Sequence, residues 1–362
     1  MRPLHRREMD VKSKIQVHKN PKSSLAEVDF EQLDFGKHMS DHMLVAKYKN
    51  GAWQDAEIIP FGPIPMMPTI LALHYGQSVF EGMKAFKMND GKASIFRIQK
   101  HFDRFQRTLR RMCMPELPFE MFEEGLKELI NIDREWIPTS AGSSLYIRPL
   151  IFATEERFGV KISEEYLMII MTGPVPPFYP KPLRVKIEDR YSRAGKGGTG
   201  AAKCAGNYAG AFYATKMAKE EGFDQVLWSD LSADLNIEES GTMNVFFLID
   251  GVLITPPLSE TILEGVTRDS IITLAGELGI QVEERKINAK EILTAHEAGK
   301  LQEVFGAGTA AVTAAICAIG IKDKIIDLPS YTDNSVCMRL QKLMTAMRKG
   351  EAKDKFGWNT LV

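Results

Sequence analysis

Ten residues near the middle of the chain, GPVPPFYPKP (173–182), contain five prolines. Proline fixes φ and removes a backbone donor, so this segment cannot form a helix interior or a central strand. The chain is therefore cut into two parts, each of which must bury its own core. Its 362 residues suffice for two domains. The expected organisation is a flexible N-terminal arm (1–30), a smaller α/β domain (31–172), a proline-rich connector (173–182) and a larger C-terminal domain (183–362).

Charge excludes some partners. There are 46 basic and 47 acidic side chains, a net −1, which calls for neither nucleic acid nor an anionic membrane. The four cysteines have no CxxC spacing, so a disulfide framework or metal site is not expected, and a reducing cytoplasm fits. No apolar run reaches membrane-spanning length. The first twenty residues are basic but lack an apolar stretch, and Glu8 and Asp10 argue against a transit peptide.

Hydrophobic spacing outlines the elements. In the first half, 41–53 reads as a hairpin turning at Asn50-Gly51, and 93–98 as a strand. Phe102, Phe105 and Leu109 place a helix over 101–112, and 119–132 is a second amphipathic helix. Residues 144–154 and 164–173 are buried strands. In the second half, 183–189 is a strand, 208–222 a helix closed by Gly222, and 243–257 a hairpin around Asp250-Gly251. Further helices are expected over 267–279 and 333–350, and 304–321 is glycine-interrupted, then strand-like.

The stretch AGKGGTGAAKCAGNYAGAF (194–212) threads Lys196 and Lys203 through glycines. A phosphate-binding P-loop needs G-x-x-x-x-G-K-[ST], but Gly200 is followed by Ala201-Ala202. A flexible linker would be polar, whereas AAKCAGNYAGAF is small, apolar and aromatic. What remains is Lys203 in a tight apolar setting, with Tyr208 five residues on. A lysine taken out of water becomes a nucleophile able to form a Schiff base; a surface lysine is the plainer alternative.

Three other segments supply complementary chemistry. NIEESGTMN (236–244) carries two acids that could face a cationic ring nitrogen, or simply be solvated in a loop. Gly265-Val266-Thr267 open a helix whose first amides make an anion site, unless Thr267 merely caps it. FGAGTAA (305–311) offers small-residue loop amides and the Thr309 hydroxyl, or only a glycine-rich turn. Together these are the parts of a pyridoxal phosphate site.

At this point the chain resembles the branched-chain aminotransferases, in the fold type IV group of pyridoxal phosphate enzymes. The resemblance runs from about Phe35 to the C-terminus through HYGQSVFEGMKAF (74–86), FR (96–97), LYIRP (145–149), GGTGAAKCAGNY (197–208), ESGTMN (239–244), GVTR (265–268) and EVFGAGTAA (303–311). It implies a two-domain α/β fold and a homodimer. Lys203 would hold the coenzyme and carry the proton, Tyr208 would bond its phenolic oxygen, and Glu239, not Glu238, would face the ring nitrogen. Arg97, Val266, Thr267 and Thr309 would hold the phosphate. Substrate positions would be Phe35, Tyr75, Phe80, Gly82, Tyr146, Arg148, Val160, Thr242, Met243 and Ala310; for Arg148 a structural ion pair is an equal alternative.

The implied activity is reversible transamination of leucine, isoleucine or valine with 2-oxoglutarate. The same lysine and acid would serve a D-amino acid aminotransferase or an aminodeoxychorismate lyase. A non-catalytic relative would have lost Lys203, Tyr208, Glu239 or Arg97, and all four are intact. The CxxC that mammalian members carry after the GTA motif is absent, since only Cys317 is present, so thiol switching is not expected.

Overall fold

The computed structural model describes residues 15–362 except Phe178 and Pro180; residues 1–14 of the expected arm lie outside it. Its architecture is two β-sheets with helices packed against them, the mixed α/β fold expected.

The first sheet has ten strands and is almost wholly antiparallel. Its order is Gln16–Val17, Glu57–Pro60, His42–Lys49, Tyr166–Val175, Ser144–Ala153, Met83–Lys87, Ala93–Phe96 and Asn359–Leu361. Ala52–Trp53 pairs with His42–Lys49 through Asn50 (φ 55°) and Gly51 (φ 78°), the left-handed pair that the Asn-Gly signal demands. Ser78–Phe80 pairs with Ser144–Ala153.

The second sheet is mixed and has nine strands. Leu183–Ile187 lies parallel to both Gln225–Ser229 and Val312–Ile321. Ile237–Ser240 closes one edge; Leu301–Gly308, Asn244–Ile249, Val252–Thr255 and Val282–Glu284 extend the other.

Helix Ile98–Arg111 carries the link between the two. Ile98, Phe102, Phe105 and Leu109 form one stripe buried in the first core, each fully buried side chain stabilising by about 2–3 kcal/mol. His101, Arg104 and Thr108 form an adjacent buried stripe; His101 and Arg104 hold Glu81, while Arg104 also reaches Glu264 O and Thr108 accepts from Lys203 N in the second half. The helix begins three residues earlier than its spacing predicts, because Arg97 turns left-handed (φ 56°) straight out of strand Ala93–Phe96.

Three boundaries differ from the expected division. Residues 16–17 pair with Glu57–Pro60, and Ile15, Val17, Leu25 and Val28 pack on the first core, so the later half of the 1–30 arm is anchored by burial. Strand Tyr166–Val175 runs through Pro174 into the connector. Proline is tolerated there because pairing with His42–Lys49 ends at Met171, leaving a partner on one side only. Finally, Asn359–Leu361 returns from the second half to pair with Ala93–Phe96. Among the described residues, no helix is long and apolar enough to cross a membrane.

Candidate active site

A cleft of about 850 Å³ opens between the sheets, and Lys203, Tyr208, Glu239, Thr242, Met243, Val266, Thr267, Thr309 and Ala310 all line it. Lys203 reaches it from the second half of the chain but is held by the first sheet. Its carbonyl accepts from Phe80 N (3.1 Å) and its amide donates to Thr108 Oγ1 (3.0 Å), while Ala205 N donates to Ser78 O (3.0 Å). Nζ donates to Tyr208 Oη at 3.0 Å and lies 4.8 Å from the Phe80 ring centre. The surface-lysine alternative therefore fails. Lys196, by contrast, is exposed, and Cys204 is buried in the first core.

Both acids of NIEESGTMN stand in a strand rather than a loop. Glu238 and Glu239 are buried in Ile237–Ser240, on alternate faces. Only Glu239 lines the cleft; Glu238 Oε1 accepts from Thr261 on the other side. Burial pushes the Glu239 carboxyl up, against the opposing pull of Arg193. Arg193 Nε pairs with Glu239 Oε2 at 3.0 Å, Leu263 N donates to Oε1 at 2.7 Å, and the Arg193 fork is tied to the carbonyls of Gly200 and Thr261.

At the far end, helix Val266–Glu277 starts at the cleft wall after Gly265, with no side-chain bond to its first amides. Thr267 sits inside the helix and is not its cap. A Cβ on Gly265 would overlap Asn244 Oδ1, so glycine lets the Asn244 amide sit against this turn. Arg97 lies just behind the wall: Nη1 donates to Ser270 Oγ (2.8 Å) and approaches Val266 O (3.5 Å), and Nη2 pairs with Asp269 (2.6 Å). FGAGTAA is strand as far as Gly308, and residues 309–311 form the turn into Val312–Ile321.

The substrate-side residues Phe35, Phe80, Gly82, Tyr146 and Arg148 also line the cleft. Phe35 packs edge-on against Tyr146, ring centres 5.2 Å apart. Gly82 is required because a Cβ there would overlap the Tyr146 hydroxyl. Arg148 makes no ion pair among the described residues; it donates to Tyr146 Oη (3.2 Å), stacks on Phe80 at 4.7 Å, and its buried Nε has no hydrogen-bond partner there. Tyr75 and Val160 stand outside this chain's cleft. Tyr75 ends helix Leu71–Tyr75 and donates to Phe158 O, and Val160 is 76% exposed on the same loop.

Several contributors carry no sequence signal of their own. Arg104 lines the cleft and grips Glu81 with two 2.7 Å bonds, with His101 Nδ1 3.0 Å from the same carboxylate. Burial alone would raise the Glu81 pKa, but Arg104 and His101 reverse it and hold the carboxyl far below the usual range. Lys84, buried in strand Met83–Lys87, donates to Ala310 O at 2.8 Å and thereby fixes the 309–311 turn from the opposite sheet. Arg193 belongs to the same group. A periodicity reading finds core faces, and none of these contacts follows a period.

Known proteins resemble this chain in sequence and fold. A model of the family described as amino-transferase class IV matches residues 78–319. The chain is 43% identical over 338 residues to branched-chain-amino-acid aminotransferase 2 of Bacillus subtilis (strain 168), covering 92% of this chain and 93% of that protein. Among solved structures, the Escherichia coli branched-chain amino acid aminotransferase superposes with a TM-score of 0.70 at 28% identity, covering 87% of this chain and 98% of the other. The holo-form of the Thermobaculum terrenum branched-chain amino acid aminotransferase shares the fold, with a TM-score of 0.72 at 23% identity, covering 90% and 99%. A cleft with an amine, a buried carboxylate and an uncapped helix start, on a scaffold shared with these proteins, leads to one assignment: the chain belongs to the branched-chain aminotransferases of the class IV aminotransferase family.

Proposed function

We propose that this chain interconverts leucine, isoleucine and valine with their 2-oxo acids, with 2-oxoglutarate and L-glutamate as the second pair, using pyridoxal 5'-phosphate. The observation that carries the reading is convergence: the Lys203 amine, the buried Glu239 carboxylate and the uncapped start of helix Val266–Glu277 face one cleft. The donor set fits that cofactor. An amine suits its aldehyde, the Tyr208 hydroxyl its phenolic oxygen, Glu239 its ring nitrogen, and the helix start with Arg97 and Thr309 its phosphate. Gly265 supports this fit, because a Cβ there would displace the Asn244 amide that bonds Leu263 O beside the helix start.

When bound, the cofactor supplies an electron sink next to the amino group. The protein's part is positioning and proton movement. Lys203 Nζ holds and moves the proton of the substrate Cα, with Tyr208 orienting it. Glu239, paired with Arg193, would face the ring nitrogen and favour a proton on it. Phe35, Phe80, Tyr146 and Met243 give apolar walls for a branched side chain, and the 309–311 turn faces the substrate carboxylate. Arg148 and Tyr146 give glutamate's second carboxylate a polar partner.

A homodimer completes this reading. Leu73, Tyr75, Phe158, Val160 and Ile162 are exposed by 70, 45, 75, 76 and 58% on neighbouring segments, and a second copy would cover them and bring Tyr75 and Val160 to a cleft. Four free cysteines suit a reducing cytoplasm. The test is a half-reaction panel of L-Leu, L-Ile, L-Val, L-Glu and D-Ala, followed by the loss of the enzyme's visible absorption band. L-Leu and L-Glu should both bleach it, and Lys203→Ala should remove the response while leaving a folded protein. A response to D-Ala without one to L-Leu would overturn the substrate assignment.

A further inference from the structure

The last residues of the chain return to the first sheet beside Arg97. Asn359–Leu361 pairs with Ala93–Phe96, Asn359 opposite Phe96. The next residue, Arg97, is left-handed, a conformation disfavoured for any side chain with a Cβ. Something must hold it, and Trp358 does so twice. Its carbonyl accepts the Arg97 amide at 2.6 Å, and its ring lies under the Arg97 guanidinium, 4.5 Å from ring centre to Cζ. The ring is itself wedged: Phe356 stacks on it at 4.6 Å, Phe96 meets it edge-on at 5.6 Å, and it is only 8% exposed. From that seat the guanidinium crosses to the second sheet's helix and meets Ser270 Oγ and Asp269.

We propose that Trp358 is a positioning residue for the cofactor's phosphate, holding Arg97 by ring and carbonyl in the one conformation that reaches the start of helix Val266–Glu277. The inference rests on the proposed function, which gives Arg97 its phosphate. Asp269 does not cancel the guanidinium, because Arg97, Lys100 and Arg107 together share only the carboxylates of Asp269 and Glu264. A cation over an indole face, shielded from water, is among the stronger cation–π arrangements. With Trp358 replaced, Arg97 keeps its charge but loses its seat.

The test separates phosphate holding from general packing. Full-length protein, freed of cofactor by dialysis against phosphate, is titrated with pyridoxal phosphate and with pyridoxal, which lacks the phosphate. W358L should raise the dissociation constant for pyridoxal phosphate by about five- to thirtyfold. The constant for pyridoxal should stay within about twofold. W358F, which keeps an aromatic face, should recover most of the difference. Fluorinated tryptophan, which weakens the ring's negative face at constant shape, should lower the preference for the phosphorylated ligand even if W358L does not fold. Equal weakening of both ligands, or of neither, overturns the proposal. R97Q distinguishes the two levels. If it abolishes the preference while Trp358 variants and fluorination leave it intact, Arg97 keeps its role and Trp358 loses its own. If R97Q leaves the preference unchanged, the phosphate assignment of Arg97 falls, and this inference with it.

Discussion

Lys84 offers a prediction whose size can be worked from its surroundings. It is 4% exposed, its ammonium has one hydrogen bond, to Ala310 O, and no carboxylate pairs with it among the described residues. Burial, then the like charge of Arg348, push its pKa down to about 7 from 10.5. In the unfolded chain the amine stays protonated until near 10.5. Between those values the unfolded state therefore binds a proton that the folded state has released, and stability rises with pH. From pH 7.5 to 9.5 this one group contributes about 2.5 kcal/mol, at 1.36 kcal/mol per pH unit. An unfolding entropy of about 2.1 cal/mol/K per residue converts that to about 3 °C in melting temperature for a chain of this length. Lys84→Met keeps the volume and removes the titration. The assay is thermal denaturation of both proteins at half-unit pH steps, taking the difference in Tm so that all other groups cancel. The difference should grow in favour of wild type by about 3 °C across the window. A flat difference would refute the reasoning: it would mean that Lys84 is charged throughout, solvated by groups its burial does not suggest.

Other expectations follow from the same geometry. Glu239→Gln removes the carboxylate facing the cleft and should slow the leucine half-reaction by about 10²–10³ in stopped-flow absorbance, whereas Glu238→Gln, facing Thr261, should stay within about threefold. Reversal of the two effects would put the strand in the opposite orientation. Gly265→Ala forces a Cβ onto Asn244 and should cost about 1–3 kcal/mol by chemical denaturation, with weaker cofactor retention on gel filtration. Glu81→Gln leaves Arg104 without its bidentate partner and should cost about 3–5 kcal/mol at pH 7. Because the folded carboxyl titrates below its unfolded value, that contribution is present above about pH 4.5 and fades as pH falls further. The gap between wild type and variant should therefore narrow in acid-titrated denaturation curves.

How much of this was legible in the chain depends on whether a residue answers to a local period or to a distant partner. The stripe Phe102, Phe105 and Leu109 announces a helix because one helical face must be apolar to be buried, and Asn50-Gly51 announces a turn because few pairs accept two left-handed residues. The motifs around Lys203, Tyr208 and Glu239 pointed to three residues that line one cleft. Strand Ile237–Ser240 was not, because Ile-Glu-Glu-Ser has neither alternation nor β-branched density. It is a strand because Gln225–Ser229 pairs with it, while Arg193 pairs with one of its acids and Thr261 bonds the other. The same holds for Glu81 with Arg104, 23 residues apart, and for Lys84 with Ala310, 226 apart. Such pairs exist only once segments distant along the chain have met in the fold, and no helical or strand period contains both members.

The glycines of 194–212 make sense in that light. They suggested a phosphate loop, but the amides proposed for the phosphate are those at the start of helix Val266–Glu277, which line the cleft. Gly200 is squeezed against Ala194 and the main chain of Thr261, where a Cβ would come within 2.5–2.8 Å of its neighbours. Arg111, from the helix whose other stripes serve the core and the cleft, takes the carbonyls of Gly197 and Gly198 at 3.0 Å each. The segment is thus threaded closely past the second half and clamped from the first, and at its middle Cys204 forms a β-bridge with Val79. Such a path needs small residues for clearance rather than for flexibility. Lys203 consequently hangs from the first sheet while Glu239 and the helix start hang from the second. A ligand that contacts all three is bound only when the sheets hold their present separation. The tight threading of 194–212, Lys84 on the 309–311 turn and Trp358 under Arg97 each fix that separation at a different point, so the site's precision is a property of the junction between the two halves rather than of either half alone.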